Sequence, residues 1–177
     1  MVPAPAARRL PGPGRACFHP FRFVPMADFL PKPALHAACR AFIEQRMAAA
    51  ALAMQAAQES ANSDTKSSAG DKYETGREMA TQERDRNAGQ LHQARQLAAE
   101  LARISPDAPC DAVRPGALVH TSLGWFYLAI SAGRLVVGGQ ECFAVSGAAP
   151  VALALKGKRA GEAAVFNGKT VQVLAVS

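Results

Sequence analysis

The sequence predicts an α+β protein: an antiparallel α-helical coiled-coil hairpin within residues 26–111, then a small β-rich domain over 112–177. Three observations carry that expectation. Two long runs of good helix formers have apolar residues recurring at three-and-four spacing. A short polar stretch divides them. From residue 112 the chain switches to brief runs of β-branched, aliphatic and aromatic residues separated by turn dipeptides.

The chain opens MVPAPAARRLPGPGRACFHPFRFVP, with Arg8, Arg9, Arg15 and Arg22 and no acid. A proline-rich basic stretch of this kind is expected to lack a fold of its own. It has no apolar run of secretory-signal length. Residues 1–25 read as sequence upstream of a natural start at Met26, which opens MADFLPKPALHAACRAF.

Pro31 and Pro33 precede the first helical run, about residues 34–61, which contains neither proline nor glycine. Its seam is Cys39, Ile43, Met47, Ala50, Met54, Ala57 and Ala61, a coiled-coil spacing. The second run, about residues 78–104, stops before Ser105-Pro106. Leu91, Ala94, Ala98, Leu101 and Ile104 form its seam, and only Met79 and Ala80 extend it toward the start. Helices of similar length joined by a short turn pack as an antiparallel pair. At 1.5 Å per residue each arm reaches about 42 Å. The seam is rich at the open end and thins toward the turn. The hairpin is therefore expected to be anchored at its base, with the turn projecting.

That turn, NSDTKSSAGDKYETG, holds Asp71 and Glu74 between Gly70 and Gly76. Asp-x-x-Glu is the spacing of a capping box, and acids suit the positive end of a helix dipole. The same two carboxylates, one helical turn apart, are also near enough to share a divalent cation. Spacing alone leaves both readings open.

The formal charge of +6 is unevenly spread. Residues 1–25 carry +4, residues 26–111 carry −2, and residues 112–177 carry +4. This is not the uniform positive surface of a general nucleic-acid binder. Cys17, Cys39, Cys110 and Cys142 show no CxxC pair and no histidine at metal-ligand spacing. They read as free thiols of a cytoplasmic protein. No stretch approaches about 20 continuous apolar residues, so no membrane partner is expected.

In the β-rich part the candidate strands are ALVHT (117–121), WFYLAI (125–130), RLVV (134–137), CFAV (142–145), AVF (164–166) and TVQVLAV (170–176). Gly138-Gly139 and Asn167-Gly168 are hairpin-turn dipeptides. Trp125, Phe126, Tyr127, Phe143 and Phe166 are expected to fill the core. About 65 residues is near the lower limit for a self-sufficient one. Between strands, APVALALKGKRAGE (149–162) reads as a short helix, a glycine stop and a basic loop.

This block resembles the Ser-Pro-(Ile/Leu)-Gly-x-x-Leu-x-Gly-Lys-x-x-Gly-(Asp/Glu) signature of the bacterial GreA/GreB transcript cleavage factors. Pro150, Val151, Leu155, Gly157, Lys158, Gly161 and Glu162 fall on that pattern; Ala149 replaces its serine and Ala152 its glycine. Upstream, GDKYE (70–74) is similar to the Gly-Asp-x-x-Glu at the family's hairpin tip. There the family continues Asn-Ala-Glu-Tyr, and this chain has Thr75-Gly76-Arg77-Glu78. A second register lays Asp64-x-x-Ser67-Ser68-Ala69 on the tip pattern, keeping the aspartate and losing the glutamate. The resemblance covers about residues 34–177.

The resemblance implies an FKBP-like C-terminal domain and a hairpin inserted through a narrow channel of RNA polymerase to its active-site Mg²⁺. Asp71 and Glu74, with Asp64 as the alternative, would be the catalytic and metal-holding residues for a second, weakly held Mg²⁺. Lys156, Lys158 and Arg159 are candidate polymerase contacts, a solvated basic loop being the plainer reading. The partners implied are RNA polymerase and the nascent RNA and DNA of the elongation complex, met by a monomer. Such a factor stimulates the polymerase's own RNA cleavage and is not an independent enzyme. Two other classes stay open. One is a polymerase-binding regulator of the same architecture that does not cleave. The other is a prolyl isomerase or chaperone, suggested by the FKBP-like domain alone.

Overall fold

The computed structural model describes residues 30–64 and 72–177. Helix α1 spans Lys32–Asp64 and helix α2 spans Lys72–Leu101. Pro33 sits in the first turn of α1, where a missing N–H costs nothing. Both helices run further toward each other than composition suggests. Asn62-Ser63-Asp64 and Lys72–Gly76, expected in the turn, are helical, so the connection shrinks to 65–71. Once a long helix exists, each added residue gains a hydrogen bond for one residue fixed, which outweighs the local turn preference. At its other end α2 tightens into i→i+3 bonds, Arg103 N to Glu100 O at 3.2 Å and Ile104 N to Leu101 O at 3.0 Å, before Ser105-Pro106.

The two helices pack side by side in opposite directions. Leu35, Cys39 and Ile43 of α1 share a cluster with Leu97 and Leu101 of α2, while far along the pair Gln58 meets Arg84. The expected seam is inside: Cys39, Ile43, Ala50, Ala57, Ala94 and Leu101 are buried. Asn87, not expected there, is buried too.

Six strands follow: β1 (Leu118–Thr121), β2 (Gly124–Ala129), β3 (Gly133–Val137), β4 (Gln140–Ser146), β5 (Ala163–Phe166) and β6 (Lys169–Val176), with α3 (Pro150–Leu155) between β4 and β5. They form one sheet in the order β3-β4-β2-β1-β6-β5. All neighbours are antiparallel except β2 and β4, which run parallel because β3 goes to the edge and β4 returns inside it. Asn167 and Gly168 both have positive φ, 49° and 72°, as a two-residue hairpin turn requires.

Period-two alternation sends side chains to two faces, and both are covered. Val119, Phe126, Leu128, Ala164, Val171 and Val173 meet Val151, Ala152 and Leu155 of α3. Leu118, Tyr127, Ala129, Cys142 and Ala144 meet Leu35, Cys39, Ile43 and Leu101 of the helical pair. The core of the β-rich part is thus not self-contained, because the base of the hairpin supplies one of its layers. One expected core aromatic departs from this. Phe143 is 39% exposed, with its ring tilted against Phe126 at 5.9 Å. It faces the α3 side, but α3 lies toward β5 and leaves the β3–β4 end open.

Candidate functional site

Three places gather the chemistry-bearing residues. The first is the far end of the hairpin. The base of the pair, at Leu35–Ile43 and Leu101, is fixed to the sheet. Glu74 lies in the first turn of α2 and Asp64 closes α1. Between Glu74 and Leu101 the helix rises roughly 40 Å at 1.5 Å per residue. Asp71 lies outside the described residues, and so do the side chains of Asp64 and Glu74. Among the described residues no three His, Cys, Asp or Glu side chains gather as a metal would need.

Half-way along, the arm is polar. Arg86 pairs with Glu83, Arg84 with Asp85 at 2.8 Å, and Asn87 Nδ2 donates to Glu83 Oε1 at 3.2 Å. Arg86 and Asn87 together hold the Glu83 carboxyl below its usual range. Arg84 Nη1 crosses to Gln58 Oε1 at 3.4 Å.

The second place is the segment 149–162, where local geometry explains the motif. Ala149 is the N-cap of α3 in extended conformation and makes no side-chain cap. Pro150 follows at the first helical position, which suits its fixed φ. Val151, Ala152 and Leu155 bury the inner face of the helix. Gly157 turns the chain with φ +77°, and Gly161 turns it again with φ +88°, a region that side chains with a Cβ rarely enter. Gly157 N donates to Val113 O at 2.9 Å, and Val113 N returns a bond to Lys158 O at 2.8 Å. Gly161 N donates to Val173 O at 2.8 Å, while Val173 N reaches Glu162 O at 2.9 Å. The Glu162 carboxylate accepts from Arg159 N at 2.7 Å. The loop is therefore fixed at both ends. It presents Lys156 and Arg159 exposed and Lys158 half-buried. This loop belongs to the α3 face of the sheet and the helical arm to the opposite face, so the tip acids and the loop bases do not converge.

The third place was not singled out by sequence. At the contact of α1 with the sheet, His36 Nδ1 and the Tyr127 hydroxyl lie 3.3 Å apart. Burial pulls the His36 pKa down, with Arg40 acting the same way and Asp107 opposing. Cys39 and Cys142 lie in the same apolar cluster. Burial pushes the Cys39 thiol up to about 11. It pushes Cys142 up to about 12, with a further contribution from Cys39. Such thiols stay protonated and make poor nucleophiles. Nearby on β1 and β2, the rings of His120 and Trp125 stack at 4.2 Å and 8°. His120 Nδ1 is buried with no hydrogen-bond partner, and burial lowers its pKa. The signal for His36 was present in the sequence: it precedes Cys39 by three residues and Ile43 by seven, and so continues the seam.

No family model matches the chain, and no curated protein matches it. Among solved structures, the crystal structure of GreA factor homolog 1 (Gfh1) protein of Thermus thermophilus is 19% identical, covering 76% of this chain and 92% of its own, with a TM-score of 0.31. A second structure, of the transcription factor Gfh1, is 19% identical over 79% of this chain and 93% of its own, with a TM-score of 0.32. TM-scores this low bear on neither fold nor function. No helix among the described residues is long and apolar enough to cross a membrane.

Proposed function

We propose that this chain is a Gre-like transcription elongation factor. In this reading it binds RNA polymerase as a cytoplasmic monomer and inserts the far end of its coiled-coil hairpin into the secondary channel. There it promotes Mg²⁺-dependent cleavage of backtracked RNA, a reaction of the polymerase itself. The observation that supports this best is the long helical arm fixed at one end to a sheet, with an acid-bearing sequence at the other. An arm of roughly 40 Å is far longer than packing on the sheet requires, and its outer half adds little to the core.

Carboxylate oxygens are hard donors of the kind Mg²⁺ prefers, and Mg²⁺ is held by few protein ligands. Asp71 and Glu74 would supply them, or Asp64 in the alternative register. Two carboxylates are an incomplete set, so the remaining positions fall to the polymerase and water. A bound Mg²⁺ would stabilise the attacking and leaving oxygens of the phosphodiester beside the polymerase's own ion. The clamped loop bearing Lys156, Lys158 and Arg159 would meet the polymerase at the channel rim, on an FKBP-like domain. The nascent RNA and DNA would be approached only inside the elongation complex.

A second reading has its own support. Lys72 lies between the two acids, and Thr75-Gly76-Arg77-Glu78 departs from the family's tip. Both favour a regulator that occupies the channel without cleaving. One experiment divides the readings: transcript cleavage by stalled elongation complexes, with wild type and Asp71→Asn, alongside a polymerase-binding measurement. Asparagine caps a helix as well as aspartate does but is a poorer ligand for Mg²⁺. Stimulated cleavage that is lost in Asp71→Asn with binding retained is the expected result. Full cleavage by the variant would move the assignment to Asp64. Binding without any stimulated cleavage by wild type would establish the regulator.

A further inference from the structure

We infer that the hairpin is a two-stage arm: its base belongs to the same cooperative core as the sheet, and its outer half opens as a separate unit while the rest stays folded. The change of seam chemistry along the arm points to this. At the base the buried residues are Leu35, Cys39, Ile43 and Leu101, joined by Met47 and Leu97 and sealed against Tyr127 and Ile130. Beyond Met47 the buried seam residues are Ala50 and Ala57 of α1 and Ala94 and Asn87 of α2.

An alanine removes little apolar surface from water, and hydrophobic stabilisation scales with that area. Asn87 spends its amide on Glu83 of its own helix, so it does not tie the arms together. Large apolar side chains in the outer half point away from the seam: Leu52 is 69% exposed and Met79 66%. The Arg86–Glu83 and Arg84–Asp85 pairs lie within α2 and leave the two helices unlinked. The cross-helix bond from Arg84 to Gln58 is exposed and long at 3.4 Å. Gly89 weakens α2 where the seam is thinnest; a Cβ there would meet nothing within 4 Å. Few buried apolar contacts and exposed backbone hydrogen bonds are the marks of a segment that opens below the global free energy.

The inference concerns the free chain and stands apart from the proposed function. If that function holds, a partner enclosing the arm would supply the order that the seam does not.

The experiment is native-state hydrogen exchange of the full chain, read by segment. The expected result is faster exchange, by at least tenfold, for amides of 52–62 and 76–88 than for 36–46, 97–101 and β2. Gly89→Ala adds helix propensity without altering packing. It should slow exchange in the outer half about fivefold, the equivalent of about 1 kcal/mol, and leave the base and strands unchanged. A single common exchange rate for outer half, base and β2 would overturn the inference. So would a Gly89→Ala variant that slows all three equally.

Discussion

Leu35 tests whether hairpin and sheet are one folding unit. It lies near the start of α1, is fully buried, and belongs to the cluster that joins α1 and α2 to β1, β2 and β4. Leu35→Ala removes three carbons. At about 0.8 kcal/mol per buried CH₂ the transfer loss is about 2.4 kcal/mol. The cavity left between a helix and a sheet adds to this, placing the change at about 3 kcal/mol, within the range of such substitutions. For a chain of this size each kcal/mol moves the melting temperature by about 2–4 °C, so a fall of roughly 6–12 °C is expected. Leu52→Ala on the same helix is the control. Leu52 is 69% exposed, and its loss should change stability by no more than about 0.5 kcal/mol. Thermal melts can be followed at once by far-ultraviolet circular dichroism, dominated by the helices, and by fluorescence of Trp125, the single tryptophan, in the sheet. Both transitions should fall together in Leu35→Ala. A helical transition that shifts while Trp125 keeps its wild-type midpoint would refute the shared core. So would a fall of less than about 2 °C, since the side chain would then not be carrying the expected burial.

Two further outcomes follow from the site chemistry. His36 and His120 both have pKa values lowered on folding, by burial first; the unfolded chain therefore binds protons that the native one refuses. Stability should be level above the unfolded histidine pKa of about 6.5 and decline as pH falls below it. Urea midpoints measured between about pH 7.5 and 5.5 read this directly. The decline should shrink in a His36→Gln/His120→Gln variant, and a midpoint as high at pH 5.5 as at 7.5 would contradict it. Ala149 caps α3 without a side-chain bond, in the extended conformation that a capping serine adopts. Ala149→Ser should then stabilise by about 1 kcal/mol, read as a melting-temperature rise of about 2–4 °C; no rise would mean that the hydroxyl cannot reach the second or third N–H of the helix.

Where one local rule acts alone, the sequence reads clearly. The heptad-spaced Cys39, Ile43, Ala50 and Ala57 are buried because a helix has no other way to present that spacing. Asn167-Gly168 turns because few dipeptides accept two positive φ values. The limits of the hairpin turn were misread because Asn62, Ser63 and Asp64 vote for a turn individually, while helix propagation is a property of the whole run. The parallel β2–β4 pair and the exposure of Phe143 depend on which strand sits at the edge and where α3 lands, and neither is a local property. His36 with Tyr127 joins residues far apart in the chain, so no window contains the pair. The segment 149–162 separates two kinds of legibility. Gly157, Gly161, Pro150 and Glu162 are the residues that make the motif recognisable, and each has a backbone task here: two left-handed turns, a helix start, and a carboxylate closing on Arg159 N. A pattern made of such residues encodes how the loop is built. Lys156 and Arg159 are exposed and no backbone bond requires their side chains. It follows that a resemblance resting on the glycines and the proline bears on the fold. Any bearing on function must come from residues the fold leaves free, namely the loop bases and the acids of the hairpin tip, and those are the positions where substitution and assay carry the argument.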